Sequence, residues 1–340
     1  MNTSAPRRVL GRLATGTGTV AILFVLIFAV ILTINPSFAE PASLMTFVKQ
    51  AAPLVVLAIG QYFVIVSGEF DLSVGSLVGA QVVLAALLID GEESLTVGVI
   101  ALMLVIGALV GLVNGAITTV LKVPSIITTL GMMLVLFGAI RLLTGGAPTG
   151  SLSDAFRVAG RNGIENVPWI GTVPWSALII VALGAIAVLA MRSPGGRTLM
   201  AVGDNTTAAR FAGVRVGRVK ITAFILSGLL ATVAAILIGG YAGVTAKVGD
   251  GLEFDAITAV VLGGVVLGGG RGSVGAAILG AFTVEALFTL FNQLSVQSTV
   301  RPVAQGVIII AAVAYAARER SNRATPSPLP ATPRADAATT

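Results

Sequence analysis

Few side chains in this sequence could take part in chemistry, and those that could are acids and amides in apolar surroundings. The 340 residues include no histidine and no cysteine. This removes most zinc and haem sites, any histidine base and any thiol chemistry. Glu285 lies inside an apolar run, and Asn114 and Asn292 lie near the ends of two others. Such groups either line a path for a polar solute or hydrogen-bond a neighbouring helix.

The segment around Glu285 shows both possibilities. Ala281, Glu285, Phe288 and Asn292 fall at helical spacing on one side of a span, which gives a face that is partly polar and partly apolar. That face suits the hydroxyls and apolar ring of a small polar solute. Alternatively, Glu285 makes a helix–helix contact, either protonated or paired with a cation such as Arg141 or Arg301. Asn114 has the same two interpretations, a polar path or a packing contact.

The elements that must position these residues are membrane helices. Hydrophobic residues make up 56% of the chain, and long apolar runs recur, so the sequence predicts an all-α polytopic protein. We expect about ten transmembrane or partly re-entrant helices, with 255–268 short for a full crossing. The apolar runs lie near 17–34, 51–66, 72–89, 95–121, 126–143, 174–191, 219–241, 255–268, 274–291 and 302–317.

The distribution of basic residues predicts the orientation. With a cytoplasmic N-terminus, ten crossings leave only six of the 21 Lys and Arg residues outside, namely Lys49, Arg141, Arg157, Arg161, Lys247 and Arg301. This asymmetry follows the positive-inside rule and puts both termini in the cytoplasm. The basic residues leave no continuous face for nucleic acid. We therefore expect a cytoplasmic segment 1–16, a transmembrane domain 17–317 and a disordered cytoplasmic tail 318–340.

The most basic segment, 191–220, is predicted to be a cytoplasmic loop that contains a short helix. Asp204 or Asn205 can cap the free N–H groups, Thr206–Ala212 form roughly two turns, and Gly213 supplies a left-handed stop. Because helix nucleation is unfavourable, so short a helix is not stable alone, and it either docks on a partner or is a solvated loop that only fixes the topology.

The sequence also indicates where ATP is not bound. A phosphate-binding Walker loop requires Gly-Lys, and none of the four lysines follows a glycine. If the protein is a pump, its ATPase is therefore another polypeptide, and the 191–220 loop is the segment that would contact it.

Two patterns concern packing and symmetry. Gly107, Gly111 and Gly115 recur every four residues, which predicts close approach of another helix. The tripeptide Glu-Phe-Asp occurs twice, at Glu69–Asp71 (the first acidic segment) and at Glu253–Asp255 (the second acidic segment). In the predicted topology their spans run in opposite directions, so spans 2–5 and 7–10 are predicted to form an inverted repeat.

Four blocks resemble the membrane permease subunits of ribose- and sugar-type ABC importers. They are SGEFDLSVGS at 67–76, GLVNGAITTVLKVPSIITTLGMM at 111–133, 196–220, and DAITAVVLGGVVLGGGRGSVG at 255–275. The resemblance implies a permease of the bacterial cytoplasmic (inner) membrane that imports a simple sugar such as a pentose or hexose. Glu69-Phe70 and Phe288-Thr289 depart from the ribose-type pattern, so the same class carrying a nucleoside or a quorum-sensing sugar derivative is an alternative.

The resemblance also implies partners and residue roles. A cytoplasmic ABC ATPase would bind ATP and Mg²⁺, a solute-binding protein would deliver the solute from outside, and a second copy or a paralogue would complete a dimer in the lipid. The chain itself would hold no cofactor and no metal. The implied ATPase-coupling residues are Gly203, Asp204, Asn205, Arg210 and Gly213. An ion-coupled secondary carrier, which an inverted repeat would also suit, is the alternative from a different class.

Overall fold

The computed structural model describes residues 16–311 apart from positions 146, 148 and 246. The described chain is mostly helical, with one small hairpin. Its helices are α1 Gly16–Ile34, α2 Pro41–Val66, α3 Val74–Ile89, α4 Thr96–Val120, α5 Ser125–Thr144, α6 Asp154–Arg161, α7 Trp175–Arg192, α8 Pro194–Asp204, α9 Thr206–Phe211, α10 Val216–Ala242, α11 Leu252–Leu262, α12 Val274–Gln293 and α13 Arg301–Ala311. Short 3₁₀ turns occur at Pro36–Ala39, Glu93–Leu95 and Ser298–Val300.

The expected all-α polytopic class is confirmed. Within the described chain, six helices are long and apolar enough to cross a membrane: α2, α4, α5, α7, α10 and α12. The apolar helices α1, α3 and α13 and the 11-residue α11 occupy the other predicted positions. At 1.5 Å per residue, α11 rises about 16 Å, roughly half of a hydrocarbon core. The predicted 255–268 span is therefore a half-length helix followed by irregular chain.

The centre of the bundle is built from α2 and α10. Every residue of α2 from Ala51 to Val66 is buried, and α10 makes its largest packing surfaces with α4 and α2. Small residues allow this approach: a Cβ on Gly111 would lie 2.3 Å from the Phe224 carbonyl oxygen of α10. A hydrophobic chain so fully buried is held by van der Waals packing, since lipid supplies no hydrophobic drive between helices.

The two ends of the bundle differ. At one end, which we call the loop end, α8 and α9 lie between α7 and α10. At the other, the hairpin end, α6 precedes an antiparallel hairpin of β1 Gly163–Val167 and β2 Gly171–Pro174. The hairpin and α8 are elements that the sequence analysis did not predict. The predicted N-terminal segment lies outside the described residues except Gly16, and the predicted tail lies wholly outside them.

Candidate functional site

The loop end carries a pair of short helices in the predicted basic segment. Ser193 caps α8 by accepting the Gly196 N–H at 3.3 Å, and Pro194 occupies its first turn. Asn205 caps α9 by accepting the Ala208 N–H at 2.9 Å. Gly213 has φ +83°, so the chain leaves α9 through a left-handed residue. Of the two caps considered from sequence, the structure uses Asn205.

Three chain segments meet at the end of α8. The N–H of Gly270 donates to the Val66 carbonyl at the end of α2, at 2.9 Å. Gly203 lies against the same carbonyl, because a Cβ built on Gly203 would be 1.8 Å from that oxygen. Asp204 pairs with Arg271 at 3.6 Å across an exposed surface. We call Val66, Gly203 and Gly270 with their immediate neighbours the glycine junction.

The glycine junction links the helix pair to the membrane bundle. Gly269 also packs here, since its Cβ would lie 2.9 Å from the Cα atoms of Gly203 and Gly68. Gly68 begins the break between α2 and α3, and Gly269 belongs to the irregular chain after α11. The end of α8 is therefore in direct contact with both interruptions of the bundle.

A buried polar network forms at the break between α2 and α3. Asp71 is 2% exposed and accepts the Ser73 N–H at 3.0 Å, the Ser73 hydroxyl at 2.6 Å and the Ser227 hydroxyl at 2.9 Å. Asn114 donates its Nδ2 to Ser73 Oγ at 2.9 Å. The network joins the start of α3 to α4 and α10. A buried carboxylate is tolerated here because three donors compensate for lost water.

The backbone of the same break is also satisfied by side chains. Phe70 N–H donates to Ser125 Oγ at 3.1 Å, and Leu72 N–H donates to Thr129 Oγ1 at 3.0 Å, both on α5. Glu69 pairs with Lys220 near the start of α10. A non-helical backbone at membrane depth requires such partners, because lipid offers none. The break between α2 and α3 is therefore held in a defined conformation by contacts to α4, α5 and α10.

The predicted pathway residues fall in two separate places. Asn114 is fully buried in the Asp71 network, and its Oδ1 has no hydrogen-bond partner in the described chain. Asn292 lies on α12 and accepts Arg301 Nη2 at 2.8 Å. Glu285 lies on the same helix, about two turns before Asn292, and interacts electrostatically with Arg301. The structure does not bring Asn114 together with the other two.

Arg301 organises the Glu285 region. Its guanidinium carbon lies 4.9 Å from the Phe288 ring centroid, a cation–π geometry. Asp255 of α11 accepts Gln305 of α13 and lies within electrostatic range of Glu285 and Arg301. The arginine was one of two cations considered for Glu285 from sequence, and the charge pairing around it supports a packing role for this face.

The packing glycines of α4 all face α10. A Cβ on Gly107 would lie 2.2 Å from Thr232 Oγ1, and one on Gly115 would lie 2.8 Å from the Ile221 Cα. Gln81 of α3 reaches the same seam, where its Nε2 donates to Thr232 Oγ1 at 3.0 Å. The face is sealed by protein atoms, so these glycines serve close approach of two helices.

Sequence reasoning missed the residues that hold the break together. The separation of Asp71 from Ser73 is a signal that was available, because an aspartate often binds the backbone two residues on. Ser227 and Lys220 carry no local signal, since they lie 156 and 151 residues from their partners. The partners of Phe70 and Leu72 are ordinary Ser and Thr side chains at the start of α5.

Comparison with known proteins gives matches over most of the chain. A family model described as branched-chain amino acid transport system / permease component matches residues 43–313. The ribose import permease protein RbsC of Escherichia coli K12 is 34% identical over 295 residues, covering 86% of this chain and 91% of that protein. The autoinducer 2 import system permease protein LsrC of Photorhabdus laumondii is 31% identical over 303 residues, covering 89% of each.

A third relative comes from another bacterium. The ribose import permease protein RbsC of Bacillus subtilis is 35% identical over 299 residues, covering 86% of this chain and 89% of that protein. No solved structure matches the chain significantly. The matched range of the family begins within α2 and includes every helix from α3 onward.

Proposed function

The chain belongs to the family of branched-chain amino acid transport system permease components, and from this premise we propose that it is the membrane subunit of an ATP-driven sugar importer. The single observation that carries the proposal is its similarity to import permeases over 86–89% of its length. Membership of a permease family and six helices of spanning length agree with a multi-pass protein of the inner membrane. The sequence-level expectation of an ABC-type permease is confirmed.

The solute of the proposed importer is a small polyhydroxylated molecule. The relatives at 34–35% identity are named for ribose, and another at 31% is named for autoinducer 2. A simple sugar is therefore the main candidate, and a sugar-derived signal is the alternative within the same class. The ion-coupled carrier, for which several ionisable groups along one path would be expected, is disfavoured by the similarity to import permeases and not by the contacts of the chain.

The helix pair α8–α9 is proposed as the coupling element for a separate ATPase that binds ATP and Mg²⁺. Phe211 is 88% exposed at the end of α9, and Arg210 beside it is exposed too. A six-residue helix with a bare aromatic side chain gains stability by docking. Gly203 and Asp204 hold the other end of the pair on the glycine junction. Asn205 and Gly213 set the start and the end of α9.

Orientation and assembly follow from the same proposal. The loop end faces the cytoplasm, as the positive-inside rule predicts for the basic segment 191–220 and for both termini. The hairpin end then faces the compartment from which a solute-binding protein delivers the sugar. A second copy of this chain, or a paralogue, completes the permease dimer. The chain itself holds no cofactor in this scheme.

The test of the coupling assignment is Gly213→Val. A β-branched residue at φ +83° is strained by about 1–2 kcal/mol or more, whereas no neighbouring atom lies within 4 Å of an added Cβ. We expect normal insertion but at least a five-fold loss of co-purified ATPase and of sugar-stimulated ATP hydrolysis. Gly98→Val is the matched control, because Gly98 is also exposed and also has no atom within 4 Å, but lacks a positive φ.

Each result has a defined meaning. Unchanged ATPase co-purification and hydrolysis in Gly213→Val would remove α9 as the coupling element. Equal losses in both variants would indicate general damage and contradict the specific assignment. A wild-type complex that moves no sugar would contradict the proposed function itself.

A further inference from the structure

A cavity of about 320 Å³ lies between α3, α5 and the chain that follows α10. Its lining extends from Thr144 and Thr245, close to the hairpin end of α5 and α10, to Ser76 in the first turn of α3. Cavities that bind small molecules have volumes of roughly 300–1,000 Å³, so this one is suited to a small ligand. Neither Asn114, Glu285 nor Asn292, the pathway candidates from sequence, is in its lining.

Two glycines of α3 allow the chain after α10 to pack closely beside the cavity, and one of them, Gly79, is in its lining. A Cβ on Gly79 would lie 2.3 Å from the Val248 carbonyl oxygen, and one on Gly75 would lie 2.0 Å from Glu253 Oε2. Without these side chains, the 248–253 segment lies directly on α3. Glu253 is 7% exposed, and its carboxyl group lies close to the backbone N–H groups of Glu253 and Gly251. It is thereby fixed beside the N-terminus of α3.

The cavity carries charge on opposite walls. Glu253 and Asp250 lie on the side of the segment after α10, and Arg141 lies on α5, with its guanidinium carbon 4.1 Å from the Phe137 ring centroid. Ionisable groups within spans face water-filled spaces or the bundle interior, because exposure to lipid is costly. The cavity is therefore a wet space along α5.

The lining selects a chemical class. Two acids and one arginine disfavour an anionic solute such as a sugar phosphate, whereas hydroxyl groups can donate to the carboxylates and accept from Arg141. The Phe137 ring and Leu134 offer an apolar wall to a sugar ring. We propose that this cavity is a subsite for a neutral monosaccharide on its way through the permease, with Glu253 as its innermost acceptor. The proposal rests on the proposed importer function and names the site within it.

The first experiment measures protection of a single thiol. The chain contains no cysteine, so Ser76→Cys supplies a unique thiol in the cavity, and Ser76 makes only a local bond to the Ser73 carbonyl. The matched control is Ser151→Cys, which is exposed near the hairpin end and is not in the lining. Right-side-out vesicles from cells that produce the whole transporter are treated with an impermeant maleimide.

The probes are D-ribose, D-glucose and D-ribose 5-phosphate at millimolar concentration. We expect at least one neutral sugar to slow labelling of Ser76→Cys at least three-fold, with no effect on Ser151→Cys and none from the phosphate. Protection of neither thiol, equal protection of both, or protection by the phosphate alone overturns the subsite. The wild-type complex is assayed for uptake of the same sugars. Uptake without protection therefore contradicts the subsite only, and absence of any uptake contradicts the importer function.

A second variant tests the role of the carboxylate. Glu253→Gln keeps the side-chain shape but removes the charge, so we expect sugar uptake per folded permease to fall at least five-fold, with ATPase co-purification unchanged. Glu165→Gln on the exposed strand β1 is the control and should leave uptake unchanged. Normal uptake in Glu253→Gln overturns its role as acceptor. If this variant does not fold, the thiol-protection result alone decides the proposal.

Discussion

The two acidic segments share three letters and differ in almost every contact. The first acidic segment, Glu69–Asp71, lies in the non-helical break before α3. The second, Glu253–Asp255, forms the first turn of α11. The predicted repeat treated both as the opening of a span. In the structure, the first segment lies before its helix and the second lies inside its helix. The inverted repeat itself stays a prediction.

The position of each segment relative to its helix determines which groups are free to make other contacts. In the first acidic segment the backbone is not helical, so the Phe70 N–H binds Ser125, while Glu69 pairs with Lys220 and Asp71 accepts from Ser227, so that all three residues have partners in other helices. In the second, α11 satisfies its own backbone. Glu253 is then directed to the cavity and Asp255 to Gln305. The comparison indicates that the first segment is a structural brace held by other helices, whereas Glu253 of the second is a buried acid in the lining of the cavity.

The largest expected effect follows from removing the carboxylate of the brace. Asp71→Ala leaves two buried hydroxyl donors and one N–H without their acceptor. Charge-assisted hydrogen bonds are worth more than neutral ones, although bonds between membrane helices average less than 1 kcal/mol. We expect a loss of about 2–3 kcal/mol, measured as reduced thermal stability and yield of the detergent-solubilised permease.

Asp255→Ala is the matched change in the second acidic segment. It loses one hydrogen bond, from Gln305, and relieves repulsion from Glu285. We expect a cost below about 1 kcal/mol. If Asp255→Ala were the more destabilising of the two, the assignment of the brace to the first acidic segment would be wrong.

The local elements of this fold could be predicted from sequence, and the long-range polar contacts could not. Asn205, a short helix and Gly213 are adjacent, so the cap and the stop of α9 are readable in one segment. The α8 helix also had a signal, Ser193 followed by Pro194, but Gly195-Gly196 directly after it disfavours a helix. The β1–β2 hairpin lacks an Asn-Gly turn and reverses instead at Trp169, which has φ +67°.

The candidate site illustrates the limit more sharply. Ser227, which binds Asp71, and Lys220, which binds Glu69, come from α10, more than 150 residues away. Nothing local in the sequence indicates which serine or lysine will meet these acids. The cavity depends on Gly75 and Gly79 facing the 248–253 segment, which is a property of helix rotation. Glu285, by contrast, was identified because an acid inside an apolar run is conspicuous.

A smaller effect is expected at the glycine junction, which connects the first acidic segment to the helix pair. Gly203→Ala places a methyl group where the Val66 carbonyl oxygen already lies. Overpacking against backbone costs about 1–3 kcal/mol. We expect lower thermal stability and weaker stimulation of ATP hydrolysis by sugar.

Gly195→Ala in the same helix is the control, because its nearest neighbour would be Ser193 Oγ at 3.5 Å. It should be neutral or slightly stabilising, since alanine favours the helix. The Gly203→Ala permease could instead be as stable as the wild type, take up sugar and show normal stimulation of ATP hydrolysis. That result would show that the glycine junction is not part of the coupling path.

The smallest effect concerns the ion pair of Glu69 with Lys220. Its loss should affect stability and leave sugar binding in the cavity unchanged. Both side chains are about 15% exposed, so solvent screens them less than it screens Asp204 and Arg271, which are 58–59% exposed. Double-mutant cycles with alanine should give a coupling of about 1 kcal/mol for the first pair and near zero for the second. The first coupling should persist in high salt. Glu69→Ala should not change which sugar protects Ser76→Cys, because Glu69 is not among the residues that line the cavity. If Glu69→Ala abolished the protection of Ser76→Cys by a neutral sugar, the two acidic segments would act on one pathway and the distinction between brace and subsite would be wrong.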